Sequence, residues 1–186
     1  QGGTAATQDV FIEHVGMPIL ACIPQAVKAL QDLGMHRKVQ LIVSGGIRTG
    51  ADVAKAMALG ADAVAIGTAA LIALGDNDPK WESEYQKLGT TADAYDDWHE
   101  GRDPAGITTQ DPELSKRFDP ILGGRRLKNY LKVMTLEAQT IARACGKNHL
   151  HNLEPEDLCS LTIEAAAMAG VPLAGTNWIP GRTGGF

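Results

Sequence analysis

The heptapeptide Ser44-Gly45-Gly46-Ile47-Arg48-Thr49-Gly50 follows the apolar run Val39 to Val43, and Gly67-Thr68 follows a second apolar run, Ala63 to Ile66. Each reads as a strand that enters a glycine turn and leaves it as a helix. The chemistry open to such a turn is anion binding. With no side chain in the way, backbone N–H groups approach a phosphate, and the positive end of the following helix favours its charge. Ser44, Gly45, Gly46, Gly67 and Thr68 are therefore the candidate binding residues. Arg48 is either a further phosphate contact or a solvated loop residue. The plainer alternative is that both are ordinary strand-to-helix turns. Two in succession, each after an apolar strand, favour one phosphate held between two loops.

The elements that must position these turns follow from periodicity and punctuation. Gln8 to Val15 reads as a short helix. Pro24 to Leu33 reads as a better one, with Pro at its first position, Gly34 past its end, and Val27, Leu30 and Leu33 on one face. The continuous run Val39 to Val43 predicts a parallel strand covered on both faces. Thr49 and Asp52 have capping-box spacing for the next helix, which Gly60 closes. Asp62 to Ile66 is the second strand, and Ala69 to Leu74 a short helix ending at Gly75. Further on, Leu127, Leu131, Met134, Ala138, Ile141 and Cys145 share the inner face of a helix over 126–145, stopped by Gly146. Pro155 to Met168 predicts another helix, with Leu158, Leu161, Ala165 and Met168 inward, and coil from Gly170.

Strands alternating with helices over residues 1–75 match the end of a (β/α)8 barrel, where a phosphate site forms from the loops after strands seven and eight. A whole barrel needs about 250 residues. The expectation is thus an α/β chain that is the C-terminal part of a longer protein. Residues 1–75 would be the last βα units of a TIM barrel whose N-terminal units are missing. Residues 76–119 would be an irregular connection, and 120–186 a helical C-terminal appendix with a tail.

Composition narrows the partners. The 186 residues are 44% hydrophobic and 21% charged, with a net charge of −5, an ordinary globular balance. The one basic cluster, Gly123 to Lys128, is too short to make nucleic acid the main partner. No apolar stretch approaches the roughly 18 residues of a membrane span. Cys22, Cys145 and Cys159 lack metal-type spacing and read as reduced, mostly buried small hydrophobes of a cytoplasmic protein. His14, His99, His149 and His151 are acid–base candidates, each with a capping or surface alternative. Glu137 falls near the inner face of the long helix, where a pairing with Arg143 or with a neighbouring chain would explain it. Trp81, Trp98 and Trp178 read as packing anchors.

The stretches Leu41 to Val53 and Leu59 to Val64 resemble several FMN- and phosphate-binding barrels, among them hydroxy-acid oxidases, type 2 isopentenyl-diphosphate isomerases and inosine-monophosphate dehydrogenases. Three further segments narrow the resemblance. Gly2-Gly3-Thr4-Ala5-Ala6, the run His99 to Leu114, and the helix Arg126 to Cys145 with Gly146 are similar to the large subunit of glutamate synthases. The resemblance implies an FMN-binding barrel, with FMN as cofactor, and Gly2, Gly3 and Thr4 on the face shared by flavin and substrate. Gln1 stands where that family usually has Asp.

One departure is specific. Before the Pro-x-Gly-x-x-Thr-Gln run, here Pro104 to Gln110, glutamate synthases usually carry C-x5-C-x4-C, which holds an iron–sulfur cluster. In this chain Ala92, Trp98 and Asp103 occupy those positions. Clusters require soft thiolate ligands, so no iron–sulfur cluster is expected here.

The resemblance implies an FMN-dependent enzyme acting on CH–NH2 donors, with glutamate or 2-oxoglutarate as substrate and 2-iminoglutarate between them. Other subunits of a hetero-oligomer and the missing barrel region would be its partners. Without an electron relay, the flavin subunit of N-methylglutamate synthase is an alternative, and so is a non-catalytic barrel kept for assembly. A hydroxy-acid oxidase would need a basic loop where this chain has Gln1-Gly2-Gly3-Thr4.

Overall fold

The computed structural model of the chain describes residues 9–89 and 102–182. Helices dominate, and they fall into two compact units, one from residues 1–16 and 66–133, the other from residues 17–65 and 134–186. No helix among the described residues is long and apolar enough to cross a membrane.

The unit of residues 17–65 and 134–186 contains the sheet. Strand β1 (Ile42–Ser44) pairs in parallel with β2 (Ala63–Ala65), Ile42 opposite Ala63 and Ser44 opposite Ala65. A parallel pair requires a crossover, and α3 (Gly50–Ala58) supplies it. Its start is fixed by the expected capping box: the Thr49 hydroxyl accepts from the Asp52 amide at 3.3 Å, and the Asp52 carboxylate accepts from the Thr49 amide at 3.1 Å. Ala54 and Ala58 then pack with Ala142 and Leu153 at the core of this unit, supported by Ile141, Cys145, Leu150 and Leu158.

The strand is shorter than the apolar run that predicts it. The Lys38 and Val39 amides both donate to the Met35 carbonyl, so the chain is still turning there, with Arg37 left-handed at φ +63°. Pairing begins only at Ile42. Val43 is buried while Ile42 is 65% exposed, so the described residues cover one face of β1, not both.

Helix α2 (Ile19–Asp32) packs on α8 (Ile163–Ala169) and differs from expectation at its start. It begins after Pro18, whose carbonyl accepts from the Ala21 and Cys22 amides, so Pro24 lies inside it. Pro24 has no N–H for the Leu20 carbonyl, and one ladder bond is absent. Leu33 is the C-cap and is exposed, not on the buried face with Ala21 and Ile23.

Helix α8 is likewise shorter than the Pro155 to Met168 prediction. Pro155–Asp157 is a separate 3-10 turn, and Ser160 is held extended, its amide donating to the Pro172 carbonyl and its carbonyl accepting from the Ala174 amide. Thr162 then caps the helix by accepting from Ala165. Leu161 and Met168 are consequently exposed, whereas Ala166 and Ala169 are buried. Cys159 sits exposed on the extended stretch, and Cys22 and Cys145 are half-buried, which corrects the expectation that the cysteines are mostly buried.

The other unit holds α1 (Asp9–His14), α4 (Thr68–Leu74), a 3-10 turn (Pro79–Trp81), α5 (Glu82–Lys87) and α6 (Pro112–Ser115). Residues 76–119 are therefore less irregular than expected. Their helical pieces begin at Asp–Pro pairs. Asp78 accepts from the Lys80 amide, and Asp111 from the Glu113 and Leu114 amides, each aspartate capping a turn whose first residue is Pro. Those backbone donors hold both carboxyls below their ordinary range, the Lys80 amide at Asp78 and the Leu114 and Glu113 amides at Asp111.

A third pair, Asp119-Pro120, starts α7 (Pro120–Ala144), with the Asp119 carboxylate accepting from the Ile121 and Leu122 amides. The helix thus begins six residues before the predicted Arg126 and runs through Gly123-Gly124. Its residues through Val133 belong to this unit, and those from Met134 to the other.

Candidate functional site

Val43 and Ile47, both buried, anchor the first glycine turn, and Ser44 and Gly46 between them are exposed. Gly45 and Gly46 lie at φ +131° and +67°. A Cβ built on Gly46 would meet nothing within 4 Å, so the outer side of the turn is open to an approaching group.

The start of α3 behaves differently from the expected anion site. The Arg48 and Thr49 amides donate to the Asp52 carboxylate at 3.0 and 3.1 Å, and the Gly50 amide donates to Glu137 Oε2 at 2.8 Å. Two carboxylates already answer the positive end of this helix. Any phosphate here must use the Ser44–Gly46 backbone. Glu137 is accordingly a clasp on Gly50; Arg143, its expected partner, donates to the Thr140 hydroxyl instead. The Arg48 side chain is exposed.

The second turn opens α4. Gly67 follows β2 by one residue, is exposed, and serves as N-cap with no side-chain capping bond. A Cβ at Gly67 would also meet nothing within 4 Å, and Thr68 beside it is half-buried. Ser44, Gly45, Gly46 and Arg48 belong to one compact unit, and Gly67 and Thr68 to the other. Gly2, Gly3, Thr4, Ala92, Trp98 and His99 lie outside the described residues.

Of the three cluster positions, Asp103 is described. It is 2% exposed, and its side chain gathers five donors. Oδ1 accepts from the Tyr85 hydroxyl at 2.8 Å and the Ala105 amide at 3.0 Å. Oδ2 accepts from the Ile107 and Thr108 amides at 2.7 and 2.8 Å and from the Thr108 hydroxyl at 3.1 Å. The carboxylate ties the loop after residue 102 around itself. Tyr85 also lies 3.0 Å from Asp76 Oδ1, so one buried phenol bridges two buried acids. Burial foremost, then the Asp76 charge and the bond to Asp103, raise the phenol far above its usual range and keep it protonated.

The Asp76–Tyr85–Asp103 group was not found from sequence. Its members are 9 and 18 residues apart along the chain and share no periodic face. Trp81, half-buried, is a packing residue as expected, with the Lys80 ammonium 4.6 Å and the Arg117 guanidinium 5.0 Å from its ring. Trp178 is 44% exposed and does not anchor a core. His14 is exposed in the last turn of α1.

Comparison with known proteins adds the following. The family pattern described as the conserved region in glutamate synthase matches residues 1–79 and 92–148. A glutamate synthase large subunit-like protein of Rhizobium meliloti (strain 1021) is 86% identical over 182 residues, covering 98% of this chain and 41% of that protein. An archaeal glutamate synthase [NADPH] of Methanocaldococcus jannaschii is 42% identical over 153 residues, 82% of this chain and 27% of the relative. A ferredoxin-dependent glutamate synthase 1 of Arabidopsis thaliana is 30% identical over 82% of this chain and 8% of its own length. The chain therefore spans less than half the length of these relatives. No solved structure matches.

Proposed function

Since this chain belongs to the glutamate synthase family, we propose that it is part of an FMN-dependent oxidoreductase acting on glutamate and 2-oxoglutarate. In this reading it is the end of an FMN-binding barrel, and Ser44, Gly45, Gly46, Gly67 and Thr68 hold the cofactor's phosphate. What supports it is the pair of open glycine turns, each following a strand of one parallel pair. The chain's backbone fits the group: at Gly46 and Gly67 the space a side chain would fill is empty, and α4 begins without a side-chain cap. FMN, when bound, supplies hydride transfer to and from the α-carbon of an amino or imino acid. The chain's share is to hold the phosphate by backbone amides, while Asp52 and Glu137 hold the start of α3 and so fix the turn.

The Asp103 knot supports a second, narrower reading. In this reading the Asp103 carboxylate, committed to five donors inside the protein, stands where a cluster thiolate would enter and ties the loop that follows it instead of holding iron. That suits a reaction with no net redox change. In the N-methylglutamate synthase reaction, glutamate and methylamine give N-methylglutamate and ammonia, and the hydride removed from the α-carbon is returned to it.

The test is the full-length protein, purified and examined for a flavin spectrum, then assayed with glutamate and methylamine and, separately, with 2-oxoglutarate, glutamine and NADPH. Bound flavin with turnover in either assay supports the family activity, and the assay that works chooses between the readings. A colourless protein without turnover would make the barrel a non-catalytic subunit.

A further inference from the structure

We propose that the end of α7 and the turn after it form an anion site, built for a phosphate-bearing small molecule of nucleotide size. The cavity there is about 550 Å3, within the range of small-molecule pockets, and its lining belongs to the unit of residues 17–65 and 134–186. Arg143, Lys147, Asn148 and His149 supply its polar wall, and among the described residues no aspartate or glutamate lines it. In a chain of net charge −5, a cavity whose only charged walls are cationic selects its ligand by sign.

Local hydrogen bonds decide what those side chains have left to offer. His149 is the N-cap of the 3-10 turn Leu150–Asn152, and its Nδ1 accepts from the His151 amide at 3.2 Å, so the hydrogen of the neutral ring is on Nε2. Asn148 Oδ1 accepts from Asn152 Nδ2 at 2.8 Å, which leaves the Asn148 NH2 group to donate. Arg143 Nη2 donates to the Thr140 hydroxyl at 3.1 Å, and the Lys147 ammonium lies 3.4 Å from Asp157 Oδ2. A guanidinium has five N–H donors and an ammonium three, so both cations keep donors to spare. What remains is a wall of donors. The helix end does not consume them either. Cations in a last turn ordinarily answer free carbonyls, but here the Ile141, Ala142 and Arg143 carbonyls accept from the Cys145, Lys147 and Gly146 amides at 3.0, 2.8 and 2.9 Å.

A phosphate monoester fits this wall better than a carboxylate. It brings about two negative charges near pH 7 and three acceptor oxygens to two cations and two neutral donors. Ala142 and Leu150 add an apolar side, and the volume exceeds what a bare inorganic ion fills. The cavity is also separate from the first glycine turn. A Cβ on Gly50 would meet Met134, Glu137 and Ala138, whereas Ala54 and Ala58 pack with Ala142, so α3 and α7 run in the same direction. The end of α7 therefore lies beside the end of α3, about 13 Å of helix from the turn that opens it.

The experiment titrates the full-length protein by calorimetry with AMP, with adenosine and with citrate. Wild type should bind AMP but neither adenosine, which lacks the phosphate, nor citrate, which carries charge without it. Arg143→Gln should weaken AMP about tenfold or more, the loss of a charge-assisted hydrogen bond. His149→Asp keeps a capping acceptor for the His151 amide but sets a carboxylate in the wall, and should abolish binding with an unchanged circular dichroism spectrum. Gly46→Val, which alters the candidate flavin turn, should bind AMP as wild type does, so failure of the flavin reading and failure of this site are told apart. No AMP binding by wild type, equal binding of adenosine or citrate, or AMP binding that survives both Arg143→Gln and His149→Asp would overturn the site.

Discussion

Gly46 concentrates the functional reading at a single residue. Its φ of +67° makes any L side chain unfavourable by about 1–2 kcal/mol, although the surrounding space is empty. Gly46→Val in the full-length protein should therefore lower the melting temperature modestly but remove most of the bound flavin, because the side chain stands where the phosphate would approach. Equal flavin content in variant and wild type would move the phosphate elsewhere. Asp103 makes the opposite prediction, that of a structural residue. Asp103→Asn replaces one of two accepting oxygens with a donor that faces amides, leaving buried donors without acceptors at a cost of about 3 kcal/mol. Denaturant unfolding should show that loss. Tyr85, between Asp76 and Asp103, adds a pH dependence whose sign is fixed. Its value in the folded state is raised above the usual value of about 10, so the stabilisation by the neutral phenol is complete below about pH 10 and declines as pH rises beyond it. In an ultraviolet titration wild type and Tyr85→Phe should coincide until alkaline unfolding, where wild type gains one extra phenolate. An earlier difference between the two curves would place Tyr85 in solvent.

At the scale of elements, the contact between α3 and α7 is a tight constraint on the fold. A Cβ on Gly50 would collide with the Met134 carbonyl, the Ala138 amide and the Glu137 side chain, two of them backbone groups that cannot swing away. Gly50→Ala should thus destabilise by about 3 kcal/mol or more, at the upper end for overpacking. An urea midpoint equal to that of wild type would refute this packing. Gly50 is also where sequence reading was partly blind. The capping box of Thr49 and Asp52 was legible because a cap is a local matter of four residues. The Glu137 clasp was not, because it joins positions 87 residues apart. The starts of α6 and α7 were legible and were missed: Asp111-Pro112 and Asp119-Pro120 pair a capping acid with the imino acid favoured at the first helical position. Apolar periodicity marked only the later part of α7, where residues enter the core of α3, and so delayed its predicted start to Arg126. The exposed face of Ile42 shows a further limit. A continuous apolar run signals a strand meant to be covered on both sides, but it carries no information on which part of the polypeptide does the covering.

For the molecule as a whole, the informative contrast is between what matches the family and what departs from it. The glycine turns keep the open backbone that a phosphate needs, while the described cluster position holds a buried carboxylate. A flavin site and an electron relay are separable in physical terms. The first needs backbone amides and space, and the second needs thiolates close enough to hold iron. If the first is kept without the second, the full-length protein should carry flavin, and any iron or acid-labile sulfide it contains should be unaffected by substitutions between residues 92 and 103. Its turnover should then need no outside electrons. Glutamate labelled with deuterium at the α-carbon, incubated with methylamine, should yield N-methylglutamate in the absence of NADPH and ferredoxin, with label retained to the extent that the abstracted hydride is shielded from solvent exchange. Strict dependence on an added reductant, with glutamate formed from 2-oxoglutarate, would instead mean that electrons reach the flavin by a route that bypasses Asp103, and the chain would serve an ordinary glutamate synthase.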